Sequence, residues 1–196
     1  GHAALFTGEL AAEYAPELEL VGVAAAAPAT YLELLFDADR TTASGKTLTA
    51  MALLSWSNVF DIPLDSILKP GTRRAFDHLA RDCIQSIKDL LNLEQDTGQL
   101  RTNFLSKNPA KSEPWAGIMR RNSPGRSPAG APVFIAQGTA DTIVRPPITR
   151  RFANHLCRQG TRVHMIWLEG VSHDYAGYDS AVSAVRWMSD RFAGGP

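Results

Sequence analysis

The sequence predicts an α/β fold, with about three parallel strands, flanking helices and a helical insertion in mid-chain. Three observations lead there. First, the apolar run Val133 to Gln137 ends in a loop holding Asp141, and a second run, Thr161 to Leu168, ends in Gly170-Val171-Ser172-His173, with a helical stretch between them. That is a βαβ unit, whose parallel strands deliver both loops to one edge of the sheet. Second, Leu20 to Pro28 is the most apolar stretch of the chain, of strand length and nearly continuous in apolar character, as parallel strands are. Third, from Asp37 to about Ala131 the pattern turns helical and then polar. These shifts divide the chain into a core segment 1–36, a helical cap or lid insertion 37–130, and a second core segment 131–196 that carries an acid and a base.

Each element has a local reason. Gly1 to Tyr14 is alanine-rich, repeats its larger apolar groups at helical intervals and stops before Pro16, which predicts a helix. Leu20 to Ala27 is the first strand. Thr41 to Thr47 is expected as a polar loop. Its Gly45-Lys46-Thr47 ending resembles a phosphate-binding loop, but Arg40 stands where the first glycine belongs and no strand leads in, so nucleotide binding is set aside. Thr49 to Phe60 is apolar enough for an interior or lid helix. Thr72 to Leu91 places Phe76, Leu79, Ala80, Cys83, Ile84, Ile87, Leu90 and Leu91 on one helical stripe. Glu94 to Arg126 is broken by prolines, leaving room for one short helix between Pro114 and Arg121. Pro132 to Gln137, Pro147 to Gln159 and Thr161 to Leu168 follow as strand, helix and strand. A last helix from about Asp179 to Phe192 is expected to turn Ala181, Val185, Met188 and Phe192 inward.

Composition excludes several classes. Lys and Arg total 20 and Asp and Glu total 20 among 196 residues, so there is no basic footprint for nucleic acid. No apolar run approaches the ~20 residues a membrane-spanning helix needs. The cysteines Cys83 and Cys157 fit no metal spacing; a buried pair of free thiols and a disulfide both remain open. No cofactor is expected.

The chemistry rests on Asp141 and His173. An imidazole with an intrinsic pKa of about 6.5 is largely neutral near pH 7 and can accept a proton. A carboxylate beside it fixes one tautomer and stabilises the imidazolium as it forms. His164 is a rival base, but its mid-strand position suits packing. Asp174 and Asp179 follow the histidine rather than precede it. On local sequence alone the alternative stands beside this one: Asp141 as a turn residue and His173 as a loop histidine. Leu34, Leu35, Phe36, Trp56, Phe60 and Trp115 are candidates to line an apolar substrate pocket, or else to pack the insertion.

Gly1-His2-Ala3-Ala4-Leu5 resembles the stretch just after the nucleophile in the secretory lipase family of α/β-hydrolases, where G-x-S-x-G continues as G-H-A-A. Val23 to Thr30, Trp115 to Asn122 leading into Pro132 to Val144, and Val163 to His173 are similar to the same family, so the resemblance spans nearly the whole chain. It implies the C-terminal part of an α/β-hydrolase fold beginning just past the nucleophile elbow, a Ser, Asp, His order with Asp141 as acid and His173 as base, secretion, and hydrolysis of acylglycerols or simpler esters without a cofactor. It also implies that the serine, with the elbow and its oxyanion donors, lies upstream of Gly1. Neither Ser44 nor Ser172 replaces it, so the chain alone is expected to be inactive. An open sheet edge is expected to be covered by the missing N-terminal half or by self-association. Two other readings remain: a serine peptidase of the prolyl-oligopeptidase type, and a non-catalytic binding or assembly module.

Overall fold

The computed structural model describes residues 1–81 and 103–195. They form two compact units, Gly1–Leu35 with Asn122–Pro196, and Phe36–Arg121.

The first unit is built on a parallel sheet in the order β1-β2-β3, with β1 at Val23–Ala26, β2 at Val133–Gly138 and β3 at Val163–Leu168. Val23 pairs with Val133 and Val133 with Val163, so the three strands start level. The first strand is shorter than the apolar run suggested. Among the described residues its only partner is β2, and their ladder ends with Ala26 opposite Ala136, two residues before β2 does. Helix α1 (His2–Tyr14) and a second helix at Pro146–Arg158 cover one face. There Leu5, Val23, Ala25, Val133, Ile135, Phe152, Ala153 and Leu156 make a buried cluster. The other face is covered by the final helix, His173–Phe192.

That helix corrects two expectations. It begins at His173, six residues before the expected start at Asp179, so the histidine opens a helix rather than sitting in a loop. Its inner stripe is also not the expected one. Ala176, Ser180 and Arg191 are buried and Ala184 and Trp187 half-buried, whereas Ala181 is exposed and Val185, Met188 and Phe192 are 63%, 41% and 79% exposed. The two stripes differ by one residue, a rotation of about 100°. Polar Ser180 and Arg191 hide the true one in the sequence. Ser180 resolves its own cost by donating to the Ala176 carbonyl at 2.6 Å. Trp187 commits the rotation: its ring lies 5.7 Å from that of Phe134. It fills a recess over Gly22, where a Cβ would come within 2.6 Å of it.

In the second unit, α2 (Leu32–Asp39) enters from the first, followed by α3 (Ala43–Phe60), α4 (Arg73–Arg81) and α5 (Trp115–Arg121). The helices at Pro146–Arg158 and His173–Phe192 are then α6 and α7, seven helices among the described residues. Residues 41–47, expected as a polar loop, instead cap and open α3: Thr42 Oγ1 accepts the Gly45 N–H at 3.0 Å, a standard N-cap bond. Helices α3 and α4 pack together. Phe76, Leu79 and Ala80 are buried as the stripe predicts, and the Phe76 ring meets that of Phe104 at 5.7 Å. The rest of that stripe, with Cys83, lies outside the described residues. Cys157 is exposed and free, which corrects the expectation of a buried thiol.

Replacing Phe152, 1% exposed in the cluster, by Ala should lower stability by about 3–5 kcal/mol, whereas Val185→Ser should change it by no more than ~0.5 kcal/mol. Urea midpoints of the chain and its two variants measure both, and a reversed order would restore the expected α7 stripe.

Candidate active site

Two loops meet at the carboxyl edge of the sheet because β2 and β3 are parallel and in register to their last residues, Gly138 opposite Leu168. Backbone bonds then join them: Thr139 N–H donates to the Leu168 carbonyl at 2.9 Å, and Ala140 N–H to the Val171 carbonyl at 3.1 Å. Thr139 Oγ1 accepts the Gly170 N–H at 2.8 Å. Only glycine serves at 138, since a Cβ there would lie 2.1 Å from the Val171 oxygen.

The loops so joined bring Asp141 and His173 together. His173 Nδ1 lies 2.9 Å from Asp141 Oδ2. The same oxygen accepts Gln137 Nε2 at 3.0 Å, and Oδ1 accepts the N–H groups of Ile143 and Val144 at 2.9 and 2.8 Å. The Asp141 side chain is fully buried, while that of His173 is 32% exposed. Burial pushes the Asp141 carboxyl up, but the His173 hydrogen bond and charge and the two backbone N–H groups more than offset it and hold it below the ordinary carboxylate value. A buried carboxylate with four donors is therefore kept ionised, facing one ring nitrogen. Among the described residues, no other group hydrogen-bonds the His173 ring. With Nδ1–H directed to the acid, Nε2 keeps its lone pair.

Gln137 is a positioning residue that the sequence did not suggest. Buried at the end of β2, its amide N–H groups reach Asp141 Oδ2, the Val144 carbonyl at 3.0 Å and the Gly138 carbonyl at 3.2 Å, while its Oε1 accepts Thr149 Oγ1 of α6 at 2.6 Å. The signal was present as a lone amide in an apolar strand, four residues before the acid.

Helix α1 starts at this edge too. Gly1 sits so close to the end of β1 that a Cβ on it would come within 2.4 Å of the Ala26 oxygen. His2 Nε2 is tied to the Asn122 carbonyl at 2.7 Å. The amino-terminal end of α1, with the positive end of its dipole, thus lies beside the carboxyl end of the sheet.

The other predicted residues fall in different places. His164 stacks on Phe134 at 5.5 Å, a packing role. Leu35 is half-buried within the first unit. In the second unit Phe36 is buried and Trp56 half-buried. Phe60 is exposed, with Arg121 Cζ 5.8 Å over its ring. Trp115 is in that unit's interior, its indole donating to Ser66 Oγ at 3.1 Å, which makes it a core residue there. No group of His, Cys, Asp and Glu among the described residues could hold a metal ion.

The secretory lipase family matches residues 1–196 in full. The chain belongs to the secretory lipase family. No curated protein matches it in sequence. The structure of Candida antarctica lipase A in its closed state superposes on 100% of the chain and 47% of that lipase, with a TM-score of 0.76 and 17% identity. A second structure of Candida antarctica lipase A gives a TM-score of 0.63 and 19% identity over the same shares. At such identity the likeness shows the fold, that of an α/β-hydrolase, and this family member spans about half the length of those solved lipases.

The Asp141 carboxyl should titrate below its ordinary value of 3.8, and its midpoint should rise in His173→Ala, where burial loses its main counterweight. Because the folded value is the lower one, Asp141 contributes stability in full above the ordinary value and loses it as the pH falls through the folded one. Carbon-13 shifts of the carboxyl against pH would show it; a midpoint unmoved in the variant would break the assigned pairing.

Proposed function

We propose that the parent protein is a carboxylic ester hydrolase acting on acylglycerols or simpler esters through an acyl-enzyme. In this reading Asp141 and His173 are the acid and base of a Ser-His-Asp triad, and the serine comes from a segment preceding Gly1. The single observation that carries the reading is the 2.9 Å bond between His173 Nδ1 and a buried, fully donated carboxylate, with the ring partly open to solvent.

His173 Nε2 takes the serine proton as the oxygen attacks the ester carbonyl. The imidazolium formed is stabilised by Asp141 across the bond already present. It then protonates the departing alkoxide as the C–O bond breaks, leaving an acyl-enzyme. Water repeats the sequence, giving up its proton to His173, and the acid and free serine are released. No cofactor enters. A segment joined to Gly1 emerges at the edge that carries Asp141 and His173, which supports a serine placed there, with the α1 N-terminus helping to hold the oxyanion. Secretion belongs to the same proposal. It rests on the family, and among the described residues no helix is long and apolar enough to cross a membrane.

The chain by itself supplies no nucleophile to His173 among its described residues, so we infer that it is inactive alone. In the parent enzyme, Asp141→Asn should lower kcat on nitrophenyl esters by about 10⁴-fold and His173→Ala by about 10⁴- to 10⁶-fold. The isolated chain should show no turnover above buffer. Retention of parental activity in His173→Ala would sink the assignment.

The same reading extends to the surface. Tyr178, Val182, Val185, Met188 and Phe192 form an exposed apolar stripe on α7, and β1 has a partner on one side only among the described residues. We propose that the remaining half of the lipase covers them, and that the isolated chain associates with itself. Light scattering should find oligomers that dissociate in Val185→Asp/Phe192→Asp; a monodisperse monomer of the unaltered chain would count against it.

A further inference from the structure

At the amino-terminal edge of the sheet, about 27 Å along α7 from His173, lies a second constellation that the triad does not use. An open cavity of about 540 Å³ is lined by Pro132, Arg162, His164, Trp187, Asp190 and Arg191, with Val163 and with Ala193 and Gly195 of the terminal turn. Its size suits a small molecule.

What marks it out is Arg191. The residue is only 7% exposed, and its Nε–H is buried with no hydrogen-bond partner among the described residues. The neighbour of its guanidinium is the Trp187 ring, 6.0 Å from Cζ, a contact that orients the group without neutralising it. Asp190 lines the same cavity but makes no ion pair with it. Buried charges are otherwise paired, because an uncompensated one is costly to desolvate, and a buried N–H without an acceptor adds to that cost. Burial has aromatic causes: Gly22 admits Trp187, and a Cβ at Gly22 would also stand 3.3 Å from Arg191 Cγ. Phe134, stacked on His164 and in contact with Trp187, backs both rings from behind the lining. Arg162 adds a second cation at the rim.

We propose that this cavity binds the oxyanion of a small molecule bearing a ring or short apolar chain, a carboxylate or a phosphate monoester. The Arg191 guanidinium takes the oxyanion through its terminal N–H groups, and Trp187 and His164 pack against the apolar part. Arg guanidinium is suited to either oxyanion through two parallel N–H bonds. The site is separate from Asp141 and His173 and does not depend on the hydrolase reading.

The test is a titration of the ¹⁵N-labelled protein with benzoate, phenyl phosphate and inorganic phosphate, each against chloride at equal ionic strength. The Arg191 Nε–H and Trp187 indole resonances should shift saturably with both aryl probes, and the stronger aryl probe identifies the oxyanion preferred. Inorganic phosphate should bind about tenfold more weakly than phenyl phosphate, lacking the ring that meets Trp187. Arg191→Met should weaken the aryl probes by about tenfold or more and keep the fold, since it removes a buried unpaired charge. Arg162→Gln, at an exposed position, should weaken them by a few-fold and serves if the first variant fails to fold. Unmoved resonances, or affinities unchanged in Arg191→Met and Arg162→Gln, overturn the proposal.

Discussion

The approach of the Val171 carbonyl to Gly138 is the contact on which the site depends. It can occur only because position 138 has no Cβ, and it sets how near the loop after β3 can come to the loop after β2. With the Thr139, Ala140 and Gly170 bonds in place, the acid and the base have little freedom left. Their separation is decided by main chain before either side chain chooses a rotamer. This is why two residues so far apart in sequence can hold a hydrogen bond of ordinary length.

Once they are juxtaposed, electrostatics keeps Asp141 ionised. Asp141 is buried, so its charge must be sustained by donors, and it has four: two backbone N–H groups, the Gln137 amide and the His173 ring. Three of them do not depend on the histidine, so the carboxylate remains oriented whichever protonation state the ring adopts. Gln137 links this shell to Thr149 on α6 and so to the packed face of the sheet. The orientation of the acid is thereby built into the core rather than into the exposed loop.

How much of this could be read from the sequence follows from what kind of signal each feature leaves. The parallel βαβ unit was legible because Val133 to Gln137 and Thr161 to Leu168 are strong apolar runs bracketing a helical pattern, and Asp141 and His173 stand just past their ends. The start of α3 was missed because Thr42, Ser44 and Gly45 are the residues of a polar loop as much as of a cap; what decides is the Thr42 to Gly45 bond. The rotation of α7 was misjudged for a different reason. The helix carries two stripes one residue apart, and the more apolar one faces outward. Gln137 left a sign, an amide inside an apolar strand, but its meaning needed the position of Thr149, which tertiary structure alone provides.

The two stripes of α7 bear on the size of the folded body. An amphipathic helix at the surface of a finished domain has one apolar side; a helix apolar on two sides belongs between layers. Here the inner side is satisfied by the sheet, through Ala176, Ser180 and Trp187, and the outer one, from Tyr178 to Phe192, is left to solvent. Independently of that, the chain accounts for 47% of the length of lipases that share its fold. A surface that calls for another layer and a fold seen elsewhere with as much chain again are separate observations, one from hydropathy and one from superposition. Both are met by the proposed remaining half of the lipase, and the carboxyl edge, where α1 begins against the end of β1, is where that proposal has the half deliver its serine.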